Sequence, residues 1–350
     1  MSSQPIIDSH IHLWPDSMAN EQGHAWMTPG MPLAKQHILS DYYTASQQEN
    51  TNSSSKNSVE GVVYVETDVR YDTPSHDLSS WAKGPLDEIK FLRSVVEGEY
   101  GDRDSRMLQA IVAWAPVDQS TQVLEEWLRL AEETAGPETW KRFRGFRFLL
   151  QFIQDQSVFE KLVFSDAFIE NLRLLGRKGF SFDVGVDQHS GGTWQLEAVN
   201  KAMAKAHQGV PEDEKVVLVL NHLCKPDFRK DSEQFASWRT EVEKAAKLSK
   251  TYMKLSGAFS ELPDGSKEID QIVDLIKPWV DHALDSFGAS RVMFGSDWPV
   301  CNVNGPAGEQ SWVSWEEVVK LLLEERKPRL SEEQIQSIWR GTASEAYRLG

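Results

Sequence analysis

A chain of 350 residues with 40% hydrophobic and 26% charged side chains has apolar material for one large core and too much of it for a disordered or low-complexity protein. Its formal net charge of −16 argues against a nucleic-acid partner, since such binders concentrate Lys and Arg on one face, and a small-molecule substrate is expected instead. Residues 1–5 (MSSQP) show neither a basic n-region nor an apolar one, and no apolar run approaches the ~18 residues that span a bilayer, so no membrane association and a cytoplasmic setting are expected.

The first β-rich run is centred near Ile7 and reads IIDSHIH. Strand periodicity sends Asp8, His10 and His12 to one face, with the two histidine Cα atoms about 7 Å apart. Both imidazoles can then reach one ion. Neutral imidazole is a common zinc ligand, and catalytic zinc usually takes three protein ligands plus water, so further donors must come from other segments. The stretch that follows, residues 13–33, is long and carries Trp14 and Trp26.

Residues 47–58 (QQENTNSSSKNS) form a polar insertion before the second strand, where added Ser and Asn residues cost little free energy. The second run, near Val63, ends in Glu66, a further candidate ligand. A loop bearing Trp81 and an amphipathic helical pattern over 86–98 come next. A third run is centred near Ile111. The fourth, near Phe146, carries Arg144 and Arg147 with opposite parity. Arg147 is expected inside, either binding a substrate oxygen bidentately or pairing with an acid across the barrel.

A helical pattern over 157–179 leads to a fifth run near Asp183, followed by Gln188 and His189. The sixth, near Val219, is followed by His222, Cys224 and Lys225, and a helix is predicted over 233–250. The seventh is centred near Lys254. The eighth, near Val292, runs into Ser296, Asp297 and Trp298, with Trp312 further along the loop. Cys224 and Cys301 are too few for a disulfide scaffold, and a bridge between them is the one pairing available.

Eight strands alternating with helices predict a closed (β/α)8 TIM-type barrel in a single domain over 1–350. The rival, an open doubly wound sheet, usually has a Gly-rich loop after its first strand, where this chain has HIHLWPD. Barrel active sites lie at the C-terminal strand ends, where His10, His12, Glu66, Arg147, His222 and Asp297 all fall. A lone His after a strand is usually a hydrogen-bonded loop residue; the conjunction of HxH at strand 1, His at strand 6 and Asp at strand 8 points to a metal or catalytic site. Trp14, Trp26, Trp81, Trp298 and Trp312 sit on loops placed to roof it.

The segments IIDSHIHLW, RGFRFLL, VLNHLCKPD, YMKLSG and FGSDWPV, in that order, resemble the amidohydrolase superfamily and its lactonase branch, which includes L-rhamnono-, L-fucono- and 2-pyrone-4,6-dicarboxylate lactonases. The resemblance runs from about Ile6 to the C-terminal GTASEAYRLG. It implies that His10 and His12 lie in the metal or lactone-carbonyl region, that His222 lies near substrate or metal, and that Asp297 is the general base. Binuclear members carry a carboxylated Lys on strand 4; residues 143–149 contain no Lys, so one divalent ion, zinc, is expected, with Glu66 as an optional ligand. Some lactonases of this kind work without metal, using His and Arg as electrophiles.

The expected reaction is hydrolysis of a sugar (aldono-1,4-) lactone such as L-rhamnono-lactone by metal- and Asp297-assisted water attack, with His222 or Arg147 stabilising the oxyanion. Asp183, Gln188, His189 and Lys225 are candidate substrate contacts. Trp14 and Trp298 either stack on the sugar or act as packing wedges. Two alternatives stay within the superfamily: a metal-dependent decarboxylase, distinguished by carbon dioxide release, and a metal-free pyrone-type lactonase. A non-catalytic barrel would be expected to lose part of the ligand set. Self-association into a homo-oligomer stays open.

Overall fold

The β-branched and aromatic runs become eight parallel strands. The computed structural model describes residues 4–48, 57–228, 232–263, 265 and 268–350. Within them β1 (Gln4–Ile11), β2 (Asn57–Val65), β3 (Leu108–Trp114), β4 (Phe143–Arg147), β5 (Ser181–Val184), β6 (Val217–Leu220), β7 (Thr251–Leu255) and β8 (Val292–Phe294) pair in sequence order. Each strand surrounds the centre expected for it. Most of the polar insertion expected at 47–58 lies outside the described residues.

Helices Lys83–Val96, Thr121–Trp140, Asp166–Arg177, Trp194–His207, Ser232–Ala246, Ile269–Phe287 and Ser311–Glu325 return the chain between strands or follow the last one. Asp166–Arg177 illustrates why they form. It buries Phe168, Ile169, Leu172 and Leu175 at three- and four-residue steps, and the Ser165 hydroxyl accepts from the Phe168 N–H at 3.1 Å. That cap divides the single pattern expected over 157–179 into two helices, Gln156–Val163 and Asp166–Arg177. No helix among the described residues is long and apolar enough to cross a membrane.

Outward residues such as Val62 and Tyr64 join the strand–helix core, while Ile7, Val63, Val65, Ala110, Val112, Val219, Tyr252 and Met293 form a separate cluster in the barrel interior. Ala343, Ala346 and Tyr347 from the C-terminal segment belong to that inner cluster and plug the barrel opposite the site. The Tyr347 hydroxyl reaches Asp183 at 2.9 Å, and Lys254 Nζ lies 2.7 Å from Asp183 Oδ2. Asp183 and Lys254 are fully buried. This corrects the expectation that Asp183 touches substrate: its two oxygens are held by Lys254 and Tyr347 within the barrel. The disulfide option also fails, since Cys224 and Cys301 are free and buried.

Removing one partner of a buried ion pair is destabilising because it leaves the other charge uncompensated. Asp183→Ala is expected to cost about 3 kcal/mol in urea unfolding, at the lower end for such a pair because Lys254 can shed its proton. Adding Lys254→Met to that variant is expected to restore part of the loss.

Candidate active site

β1 and the segment after β8 close the barrel and build the site in the same stroke. Asp297 N–H donates to His10 O at 2.8 Å, and His12 N–H donates to Trp298 O at 2.8 Å. The β1–β2 register shifts between Ile6 and Ile7 and again between Asp8 and Ile11. The second shift changes which residues face inward: Ile7 joins the interior cluster, while His10 and His12, three and five residues later, also turn toward the site. Asp8 therefore does not share the histidines' face. Its carboxylate accepts from Ser296 N–H at 2.8 Å, Tyr42 Oη at 2.9 Å and Trp312 Nε1 at 2.9 Å, and pins β1 to the β8 loop from behind.

On the inner side, His10 Nε2, His12 Nε2 and Asp297 Oδ1 approach one another: 3.2 Å between the imidazole nitrogens, and 3.6 Å and 3.4 Å from each to the carboxylate. His222 Nε2 lies 3.8 Å from the same oxygen. His10, His12 and Asp297 can hold one metal ion, their donor atoms all lying within 4.8 Å of one another. Burial raises the Asp297 carboxyl, but His222, His12 and Lys225 hold it net below the usual carboxylate range, so it is ionised at neutral pH. Burial pushes His222 down to about 4 and His10 well below its ordinary value, the latter helped by Lys254. Both imidazoles are thus neutral, as metal ligation requires.

The second nitrogen of each ring is also engaged. His12 Nδ1 donates to Val65 O at 2.8 Å, which leaves Nε2 bare. His10 Nδ1 meets Lys254 Nζ at 3.1 Å. With Lys254 as an ammonium, His10 carries its proton on Nε2 and donates it to His12. With the proton of this contact on His10 Nδ1 instead, both Nε2 lone pairs point at one position, the arrangement that accepts a cation. The donor set fits a divalent ion on this ground.

His222 sits on an unusual turn. Residues 222–225 all have left-handed φ, from 47° to 64°, which carries both His222 and Lys225 to the cavity. Gly257, at φ 62°, permits this: a Cβ there would lie 2.4 Å from His222 Nδ1. Lys225 Nζ lies 2.9 Å from Glu261 Oε1, and His189 Nδ1 lies 2.8 Å from Glu261 Oε2.

These groups open on a cavity of about 340 Å³. Trp14, Trp26, Met31, Leu33, Val300 and Val303 form an apolar wall, and His12, Asp68, Arg147, His222, Lys225 and Asp297 supply its ionisable groups. Trp14, expected as either a stacking surface or a wedge, is part of that wall, with Nε1 donating to Lys35 O at 2.7 Å.

The chain matches the Amidohydro_2 amidohydrolase model over residues 7–349. It is 30% identical to an L-rhamnono-gamma-lactonase of Scheffersomyces stipitis with all of both chains covered. It is 28% identical to an L-fucono-1,5-lactonase of Burkholderia multivorans, covering 98% of this chain and 96% of that one. The crystal structure of a Burkholderia multivorans amidohydrolase with bound zinc superimposes with a TM-score of 0.71 at 26% identity, covering 99% of each chain. The chain belongs to the amidohydrolase family.

Within this amidohydrolase several expected site residues take other roles. Glu66 stands apart from the donor cluster: its Oε1 accepts from Arg147 Nε at 2.5 Å and its backbone oxygen from Arg147 Nη2 at 2.6 Å. Arg147 is the salt-bridge partner of Glu66 and also lines the cavity, with Nη1 free of partners among the described residues. Gln188 is buried, donating to Gln234 O at 3.2 Å, and does not line the cavity. His189 reaches it only through Glu261 and Lys225. Trp298 is a packing wedge between Tyr42 and His37. The roof loses Trp81, packed on Trp114, and Trp312, bound to Asp8. Sequence reasoning missed Asp68, although the strand-end rule that selected Glu66 reaches it two residues later.

Equilibrium dialysis of metal-stripped protein against zinc is expected to load about one ion per chain. His12→Ala should weaken that uptake by at least about tenfold, whereas Glu66→Gln should leave the stoichiometry intact. Loss of the ion in Glu66→Gln would restore Glu66 to the ligand set.

Proposed function

We propose that this protein hydrolyses the ring ester of a sugar lactone, with an L-rhamnono-1,4-lactone as the preferred substrate and zinc as the ion held by His10, His12 and Asp297. The observation that carries the reading is an ionised, buried Asp297 shared by three imidazoles at the end of an amphiphilic cavity. Full-length similarity to an L-rhamnono-gamma-lactonase supports the choice of substrate, and the zinc in the superimposed relative supports the choice of metal. The Trp and aliphatic wall suits the methyl-bearing end of a deoxy sugar.

When bound, such an ion supplies Lewis-acid polarisation at the ester carbonyl. The chain's own groups account for the proton movements. Asp297 Oδ1 faces the imidazoles, and Oδ2, without a partner among the described residues, takes a proton from water as its oxygen bonds to the carbonyl carbon. Negative charge then develops on the carbonyl oxygen, where Arg147 Nη1 and Lys225 Nζ are the cationic donors of the cavity. As the carbonyl re-forms, the bond to the ring oxygen breaks and Asp297 returns the proton to it, giving the open hydroxy acid. His222, held through Nδ1 by Ser256 Oγ at 2.9 Å, keeps Asp297 in place.

Lactone opening followed as proton release is expected to be chelator-sensitive and restored by zinc. Asp297→Asn should lower kcat by about 10²- to 10⁴-fold with a much smaller change in KM. Carbon dioxide release, in place of proton release, would move the protein to the decarboxylase alternative. Gly257→Ala, whose Cβ displaces the His222 ring, should lower kcat/KM by roughly 10²-fold with the far-UV spectrum retained.

A further inference from the structure

We infer that Asp68 is the specificity-determining residue of the cavity, binding a vicinal pair of hydroxyls on the substrate ring with its carboxyl group. The inference takes its substrate class from the lactonase reading and adds the residue that recognises it.

Asp68 lies in the loop after β2, three residues beyond Val65, and lines the same cavity as His12 and Asp297. Its backbone is left-handed, φ 54°, a conformation uncommon outside glycine and associated with functional turns. The turn is held by its own N–H, which donates to Glu66 Oε2 at 2.7 Å. Each of the other ionisable groups of the cavity already holds at least one partner: Arg147 has Glu66, Lys225 has Glu261, His222 has Ser256, His12 has Val65, and Asp297 has the three imidazoles. The Asp68 carboxyl alone has no hydrogen-bond or ion-pair partner among the described residues. Arg147, its neighbouring cation, turns its Nε and Nη2 to Glu66 instead.

A half-buried carboxyl left without partners is costly. Burial first, and then the Glu66 charge, raise it to about 7 against the lowering effect of Arg147. Two adjacent hydroxyls would supply the missing partners, because a carboxylate accepts on both oxygens. The apolar wall formed by Trp14, Met31, Leu33 and Val303 offers no competing acceptor. Sites that hydrogen-bond a substrate hydroxyl reject its deoxy analogue strongly.

The test measures binding by calorimetry with two ring ethers that lack the carbonyl: 1,4-anhydro-L-rhamnitol, and the same ring with the 2- and 3-hydroxyls removed. The wild type is expected to prefer the diol. Asp68→Ala and the near-isosteric Asp68→Asn are expected to weaken diol binding by about 10- to 100-fold and to collapse the preference, with the melting temperature at or above that of wild type. Equal weakening of both ligands, survival of the preference, or a melting temperature several degrees lower in both variants would each overturn the assignment. Neither ligand can be hydrolysed, so the outcome is independent of turnover. A protein that prefers the diol through Asp68 yet opens no lactone would contradict the lactonase reading alone.

Discussion

The seam between β1 and the segment after β8 is the constraint on which the site depends. Two main-chain hydrogen bonds, from Asp297 to His10 and from His12 to Trp298, complete the barrel, and the peptide units that make them carry the site's side chains. Asp8 fastens the same seam from outside through Ser296, Tyr42 and Trp312. Closing the barrel and assembling the donor cluster are therefore one event. A one-residue slip along this seam would reverse the facing of both histidines, so the meeting of His10, His12 and Asp297 is set by main-chain pairing.

Above the apolar floor of the barrel lies a layer of paired charges, Glu66 with Arg147 and Asp183 with Lys254. Buried charges are tolerated when each has a close partner and further hydrogen bonds, and Tyr347 and the Glu66 backbone oxygen supply those here. The layer also supports the site. Lys254 touches His10, Arg147 reaches the cavity, and Val65 and Ser256 orient His12 and His222. Outer partners of this kind set the tautomer and aim of each ligating ring.

Much of this was legible in residue order. The eight strands fall on their expected centres, and HxH, His222 and Asp297 meet because parallel barrel strands deliver their C-terminal ends to one mouth. Height along the barrel axis was readable, but direction was not. Asp183 and Gln188 stand near strand ends yet point into the protein, and Trp298 follows the key aspartate yet wedges behind it. Asp8 defeated the period-2 reading because a register shift in β1 separates it from the histidines. Asp68 escaped notice because a single carboxylate in a loop has no pattern around it; its lack of partners shows only when the neighbours are in place.

By itself the sequence determined the barrel and the strand-end placement of its candidate site residues, since hydrophobic periodicity and strand-end position are local properties of the chain, while the family was legible through the resemblance of its ordered motifs. Only the tertiary structure decided which polar groups pair with one another and which are left facing the cavity. Glu66 became the partner of Arg147, Lys254 the neighbour of His10, and Asp68 the uncommitted acid, because pairing across a barrel joins residues tens to hundreds of positions apart whose bulges and backbone turns leave little trace in a single sequence.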